Sequence, residues 1–190
     1  MEARAEYALF GEQYPSSPHA PLSAYKKAIS AFNIEHVPGR DNSFTQKAIR
    51  DFEAFLSNYS ENVKIDSAKY FKTQLLERLA EEQLAIAVLY SRMSEPQASA
   101  IYLKEMLATY PNSNKTFDAL VLLCEMYIRL DQFEQAQEFI TQLQNRFPKR
   151  GQSVAVNLNQ DLISAQENFK DNIENKKDKK MRKAKKVDKS

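Results

Sequence analysis

The segment Lys115–Pro148, KTFDALVLLCEMYIRLDQFEQAQEFITQLQNRFP, constrains the fold more than any other stretch of the chain. Its apolar residues recur at three- and four-residue steps on either side of a short break at Leu130, Asp131 and Gln132. That spacing lines one face of a helix, so the segment reads as two amphipathic helices joined by a tight turn. Cys124 and Ala136 are small where two paired helices would cross, and a bulky side chain at either place would force the axes apart. One helical hairpin cannot bury its own apolar face, so the segment demands neighbours of its own kind.

Counting from Phe117 as position 1 puts Leu120, Leu123, Cys124, Tyr127, Phe133, Ala136, Ile140 and Leu143 at positions 4, 7, 8, 11, 17, 20, 24 and 27, with Pro148 at 32. Large apolar, small and aromatic residues in those places, closed by the proline, are the signature of the 34-residue tetratricopeptide repeat. Aligning on the proline finds the neighbours. Pro111 closes a unit with Ala87, Tyr90, Ser99, Leu103 and Met106 in register, and Ser60 replaces the proline after Ala48, Phe52 and Phe55. Pro15 follows Ala3, Tyr7 and Phe10, and the four ends read EQYPSS, SNYSEN, ATYPNS and NRFPKR.

The expected fold is therefore all-α, a tetratricopeptide-repeat solenoid of antiparallel helix pairs, with helices near 2–14, 20–34, 43–58, 63–93, 96–109, 114–130, 132–146 and 153–169. Successive repeat ends lie 45, 51 and 37 residues apart, so the middle units carry insertions. One is the polar loop IEHVPGRDNS over 34–43, and the other is a helix of about 30 residues, on the order of 45 Å long. Glu2–Tyr14 reads as the second helix of a unit whose first helix is not represented; the expectation is a chain that begins part-way through a repeat. Two segments follow: a repeat domain over 1–169 and, from Lys170 where the apolar periodicity stops, a disordered basic tail over 170–190.

Composition bears chiefly on what the chain does not do. The net charge of +2 divides into ten Lys/Arg against four Asp/Glu in 170–190 and 17 against 21 in the rest, an acidic body with a basic extension. Catalytic groups are missing from the pattern. His19 and His36 stand apart in proline-containing connections, the single cysteine Cys124 fills a packing slot, and the three glycines are scattered at 11, 39 and 151. A metal site needs several ligands at set spacing and a phosphate cradle needs clustered glycines, so no enzyme, metal or cofactor is expected. The acidic body opposes nucleic acid, because it would repel a phosphate backbone, and no aromatic interleaves the tail lysines. The longest apolar run, Leu84–Tyr90, is too short to span a bilayer, and residues 1–10 do not form a signal peptide. The basic tail would be attracted to an anionic membrane surface at about 1 kcal/mol per basic residue.

One family matches in order and length. The RLA at 78–80, the LY at 89–90, EML–x–x–YP at 105–111 and DAL at 118–120, together with Arg40-Asp41 ahead of Ala48 and DFEAFLSNY at 51–59, resemble BamD, the tetratricopeptide lipoprotein family of the outer-membrane β-barrel assembly machine. The resemblance covers about 145 residues, from Ala3 to Pro148. It implies a noncatalytic scaffold at the periplasmic face of the outer membrane, binding a POTRA-bearing barrel-inserting protein and other assembly lipoproteins, and receiving unfolded outer-membrane proteins. It offers Arg40, Asp41, Arg78, Tyr102 and Arg129 as partner-facing residues, and Ala48, Phe52, Tyr90, Cys124, Tyr127, Ala136, Pro111 and Pro148 as structural ones. Family members begin with an export signal, a lipidated cysteine and further repeats, and many carry arginine where this chain has Tyr102. Without an export signal the expected compartment is the cytoplasm if Met1 is the true start. A generic tetratricopeptide adaptor holding a peptide in its concave groove is the alternative reading.

Overall fold

The computed structural model describes residues 2–33 and 42–187, with side chains of the last helix described through Lys177 and at Lys179. Among the described residues there are eight α-helices: α1 Glu2–Gln13, α2 Ala20–Phe32, α3 Ser43–Asn58, α4 Ile65–Arg92, α5 Pro96–Thr109, α6 Thr116–Arg129, α7 Phe133–Arg146 and α8 Arg150–Val187. The bounds of α1 to α7 fall within two residues of those read from the apolar spacing. The polar loop expected at 34–43 lies almost wholly outside the described residues, as do Arg40 and Asp41.

The repeated sequence ends become repeated hydrogen bonds. The amides of Tyr14, Tyr59, Tyr110 and Phe147 each donate to the carbonyl four residues back, at 2.9, 3.0, 2.8 and 2.9 Å, closing α1, α3, α5 and α7 in one manner. Pro15, Pro111 and Pro148 follow three of those closures, exposed, where an imide nitrogen costs no helical bond. The short turns inside the hairpins also repeat. Ser94 and Asp131 hold φ of 61° and 56°, and the next amides, Glu95 and Gln132, each donate 3.0 Å back to Tyr90 and Tyr127. Those bonds are the six-to-one links of a helix C-terminus capped by a left-handed residue.

Contacts group the chain into two compact units, residues 1–82 and 83–190. The first comprises α1, α2, α3 and α4 as far as Glu82. Its centre is aromatic: Tyr25 lies 6.4 Å from Phe52 and 5.6 Å from Phe55, and Phe71 lies 6.1 Å from Phe52 and 4.8 Å from Phe32. Ala28, Ala48 and Ala68 of the same unit are fully buried, as small residues at helix crossings should be. Asp51 of α3 binds Arg4 of α1 at 2.8 Å and Lys27 of α2 at 3.0 Å, so one nearly buried carboxylate ties three helices.

The second unit comprises the remainder of α4 with α5, α6, α7 and α8. Leu120, Leu123, Cys124, Ala136, Ile140 and Leu143 fill its core, each at most 1% exposed. The small pairs sit where predicted: Cys124 and Ala136 in one hairpin, Ala87 and Ser99 in the other, with the Ser99 hydroxyl donating to the Ala87 carbonyl at 2.8 Å. Gly151 has a role that sequence spacing did not reveal. A Cβ there would lie 2.6 Å from the Leu143 carbonyl oxygen, so its lack of a side chain lets the start of α8 meet the end of α7.

The last helix runs further than the expected 153–169. Apolar packing weakens along it, and each residue from Glu167 to Lys177 is exposed, although Phe169 still sets its ring 5.7 Å from Phe133. The backbone beyond Lys170, where the sequence pattern marks disorder, is helical to Val187. Lys, Glu, Arg and Ala are good helix formers, and a helix already nucleated by packing propagates through them without needing a buried stripe.

Candidate functional site

Two surface features of the second unit are candidates for a functional role, a tyrosine stack and an apolar groove. Position 11 of its first hairpin is Tyr90, and on the facing helix stands Tyr102. Their rings stack at 5.3 Å with an interplanar angle of 13°. The neighbouring Tyr90 phenol, then hydrogen bonding to it, raises the Tyr102 hydroxyl above the ordinary tyrosine range. Arg129, from the end of α6, donates to the Ser91 carbonyl at 3.1 Å and to the Ser91 hydroxyl at 3.3 Å, the residue after Tyr90. Tyr102 and Arg129 thus each touch one of two consecutive residues, Tyr90 and Ser91, near the end of α4. Leu89, Met93 and Ile101 stand exposed on the same elements at 54, 60 and 59%. Stacked tyrosines, an arginine and exposed aliphatics are the side-chain types enriched where proteins dock.

The remaining expected partner-facing residues are elsewhere. Arg78 belongs to the first unit, where its guanidinium lies 4.5 Å from the centre of the Phe32 ring. Arg40 and Asp41 are outside the described residues. Of the expected structural residues, Ala48, Phe52, Cys124, Tyr127 and Ala136 are buried, Tyr90 is half-exposed, and Pro111 and Pro148 are exposed at helix ends.

The second feature is a groove of about 290 Å³ lined by α4, α6 and α8. Leu84, Val88, Phe117, Val121, Leu122 and Val154 form apolar walls, broken by Asp118 and Glu125. Sequence reading missed it because each residue, taken singly, looks like a helix-face residue; only the packing of α6 on α8 sets them together. Partial desolvation by the groove, then the charge of Asp161 on α8, raises the Glu125 carboxyl above the usual carboxylate range, with Arg129 opposing. Asp118 has Arg150 at 3.3 Å.

Nothing in these arrangements is set up for bond-breaking chemistry. Cys124 is fully buried, and burial pushes its thiol up to about 12, which removes it as a nucleophile at neutral pH. Among the described residues, no group of three or more His, Cys, Asp or Glu could hold a metal ion, and no helix is long and apolar enough to cross a membrane.

Comparison with known proteins places this fold in a family. A protein-family model described as YfiO, outer membrane lipoprotein, matches residues 1–143. The outer membrane protein assembly factor BamD of Xylella fastidiosa (strain Temecula1) is 28% identical over 131 residues, covering 64% of this chain and 45% of that protein. The BamD of Pasteurella multocida is 25% identical over 133 residues, covering 64% and 51%, and that of Caulobacter vibrioides is 24% identical over 147 residues, covering 77% and 48%. The chain thus spans about half the length of the curated relatives it matches, which are named as assembly factors and not as enzymes. With residues 1–143 of 190 matched, the chain belongs to the YfiO family of outer membrane lipoproteins, the family of the BamD assembly factors.

Proposed function

We propose that this protein is a noncatalytic scaffold of outer-membrane β-barrel assembly that binds the periplasmic domains of the barrel-inserting protein. The family match over 1–143 is the observation that carries the reading. The surface around Tyr90, Tyr102 and Arg129 supports it, since a stacked aromatic pair beside an arginine offers a rigid, amphipathic contact that loses little side-chain entropy on docking. Its place of work is then the periplasmic face of the outer membrane, with other assembly lipoproteins as neighbours and unfolded outer-membrane proteins as clients. The basic extension from Lys170 would act there as a contact for anionic headgroups.

Co-purification with a POTRA-bearing barrel protein is the test. Retention at micromolar concentration, lost on Tyr102→Ala combined with Arg129→Ala, is expected; no retention by the intact chain sinks the reading. A generic adaptor that takes a peptide in its groove is the second reading, favoured by the apolar channel between α4, α6 and α8. Binding that follows a short linear sequence instead of a folded domain would select it.

A further inference from the structure

We infer that the last stretch of α8, residues 170–187, lies along an anionic phospholipid surface with one half of its circumference, the half that carries lysine and no acid. The inference rests on the proposed function only for the presence of a membrane, and adds which face of which element makes the contact.

Helical structure is what creates that face. Phe169 sets its ring 5.7 Å from Phe133, the first residue of α7, so α8 passes the end of its packing partner there. Ile173 stands exposed one turn later, and the helix continues to Val187, about 27 Å beyond Lys170. At about 100° per residue, Lys176, Lys177, Lys179, Lys180 and Lys183 take register positions within about 90° of the line through Phe169. Asp171, Glu174 and Asp178 all take positions on the other half. An irregular chain has no faces, so this sorting of charge exists only because the segment is helical.

Residue type selects lipid. Nine of the ten basic residues in 170–190 are lysine. Lysine is a hydrated point charge on a flexible stem and lacks the planar fork that grips one carboxylate or phosphate with two bonds. It suits a diffuse layer of headgroups better than a shaped site on a protein or nucleic acid. Ile173, Ala184 and Val187 share the lysine half, but they are too few and too far apart to fill a groove or pair with a second helix. No aromatic residue stands in 170–190 to stack on a base. The segment is about three Debye lengths long at physiological salt, so its far end is screened from the acidic remainder of the chain.

The helix is also poorly suited to stand alone in water. Lys176–Lys180, Lys179–Lys183 and Arg182–Lys186 set like charges four residues apart, which weakens a helix, where a solvated one would alternate base with acid. Headgroups along the lysine half relieve that repulsion, so lipid contact and helix formation favour each other.

Vesicle co-sedimentation of the full chain is the test, using phosphatidylcholine alone and with about 30 mol% phosphatidylglycerol, an anionic headgroup. Binding to the anionic vesicles should be at least about tenfold tighter, should weaken as salt rises, and should increase helix content by circular dichroism. Lys176→Gln, Lys180→Gln and Lys183→Gln together should weaken it about tenfold or more. Arg182→Gln, Lys185→Gln and Lys186→Gln remove the same charge from the other half and should weaken it less than about threefold. Both triple variants lie beyond the packed part of α8, so each keeps the fold. Equal losses from the two variants, equal binding to uncharged vesicles, displacement by inorganic phosphate at matched ionic strength, or tighter binding to duplex DNA overturns the inference. Retention of the POTRA-bearing protein by the wild-type chain reports on the proposed function separately, whatever the vesicles do.

Discussion

Helices α1 and α7 occupy the same slots of the repeat and are buried very differently. In α7, Ala136, Ile140 and Leu143 are wholly inaccessible; their counterparts in α1, Ala3, Tyr7 and Phe10, are exposed or half-exposed, and no residue of α1 is buried. The register is identical, so the difference comes from packing partners. Helix α7 lies against both α6 and α8, whereas the contacts of α1 are with α2, supplemented by the bridge from Arg4 to Asp51. A slot in a repeat is thus a promise of burial that neighbours on both sides must keep.

Truncation is the harshest way to probe that contrast. Ile140→Ala empties a fully buried site and should cost about 3 kcal/mol, whereas Tyr7→Ala, half-exposed, should cost about 1 kcal/mol, both read by urea denaturation. Equal losses would show that α1 is as tightly held as α7. The seam between α7 and α8 comes next. Gly151→Ala sets a methyl group against the Leu143 carbonyl, and backbone cannot step aside as a flexible side chain would. A loss of about 2 kcal/mol, with faster amide exchange at the start of α8, is expected.

Removing the carboxylate that binds Arg4 of α1 sharpens the comparison from the other side. Asp51→Asn keeps the shape but weakens both ion pairs, at about 1.5 kcal/mol, and hydrogen exchange should quicken in 2–13 while α7 stays protected. The mildest probe is Cys124, at the centre of the α6–α7 hairpin. With its thiol pushed up to about 12, folding favours the neutral form, so this group's contribution to stability is complete below the ordinary thiol range and is lost as pH rises toward that value. A thiol reagent at pH 8 should leave Cys124 unmodified until denaturant opens the hairpin; prompt labelling of the native chain would contradict its burial.

Much of this was legible in the residues themselves. Position-32 prolines, with Ser60 in the place of one of them, gave the helix bounds, because a proline after an apolar slot interrupts the backbone ladder wherever it stands. Cys124, Ala136, Ala87 and Ser99 were legible as crossing points because size alone decides what fits there. Gly151 was not, since a glycine in a helix's first turn shows no packing need by itself, and only the Leu143 carbonyl, 2.6 Å from where a Cβ would stand, reveals one. The groove was hidden for a related reason. Its residues come from helices separated by up to some 70 positions, and single-helix periodicity carries no information about which exposed faces end up opposite each other. The start of α8 was legible from apolar spacing over 153–169, and beyond Lys170 the sequence carries no such spacing.

The turns at Ser94 and Asp131 carry a consequence for how the chain folds. Each reverses direction through a left-handed residue that is not glycine, closed by a bond spanning six residues. A side chain at that place disfavours the left-handed conformation in the unfolded chain, so the reversal is held by its closing bond and by the helices packing on each other. Within the second unit, α5 lies against α6, α6 against α7 and α7 against α8, so little loop entropy is lost before packing begins. Refolding of that unit should accordingly be rapid and should start from its hairpins, with Asp131→Gly easing the α6–α7 reversal because glycine reaches the positive φ without strain.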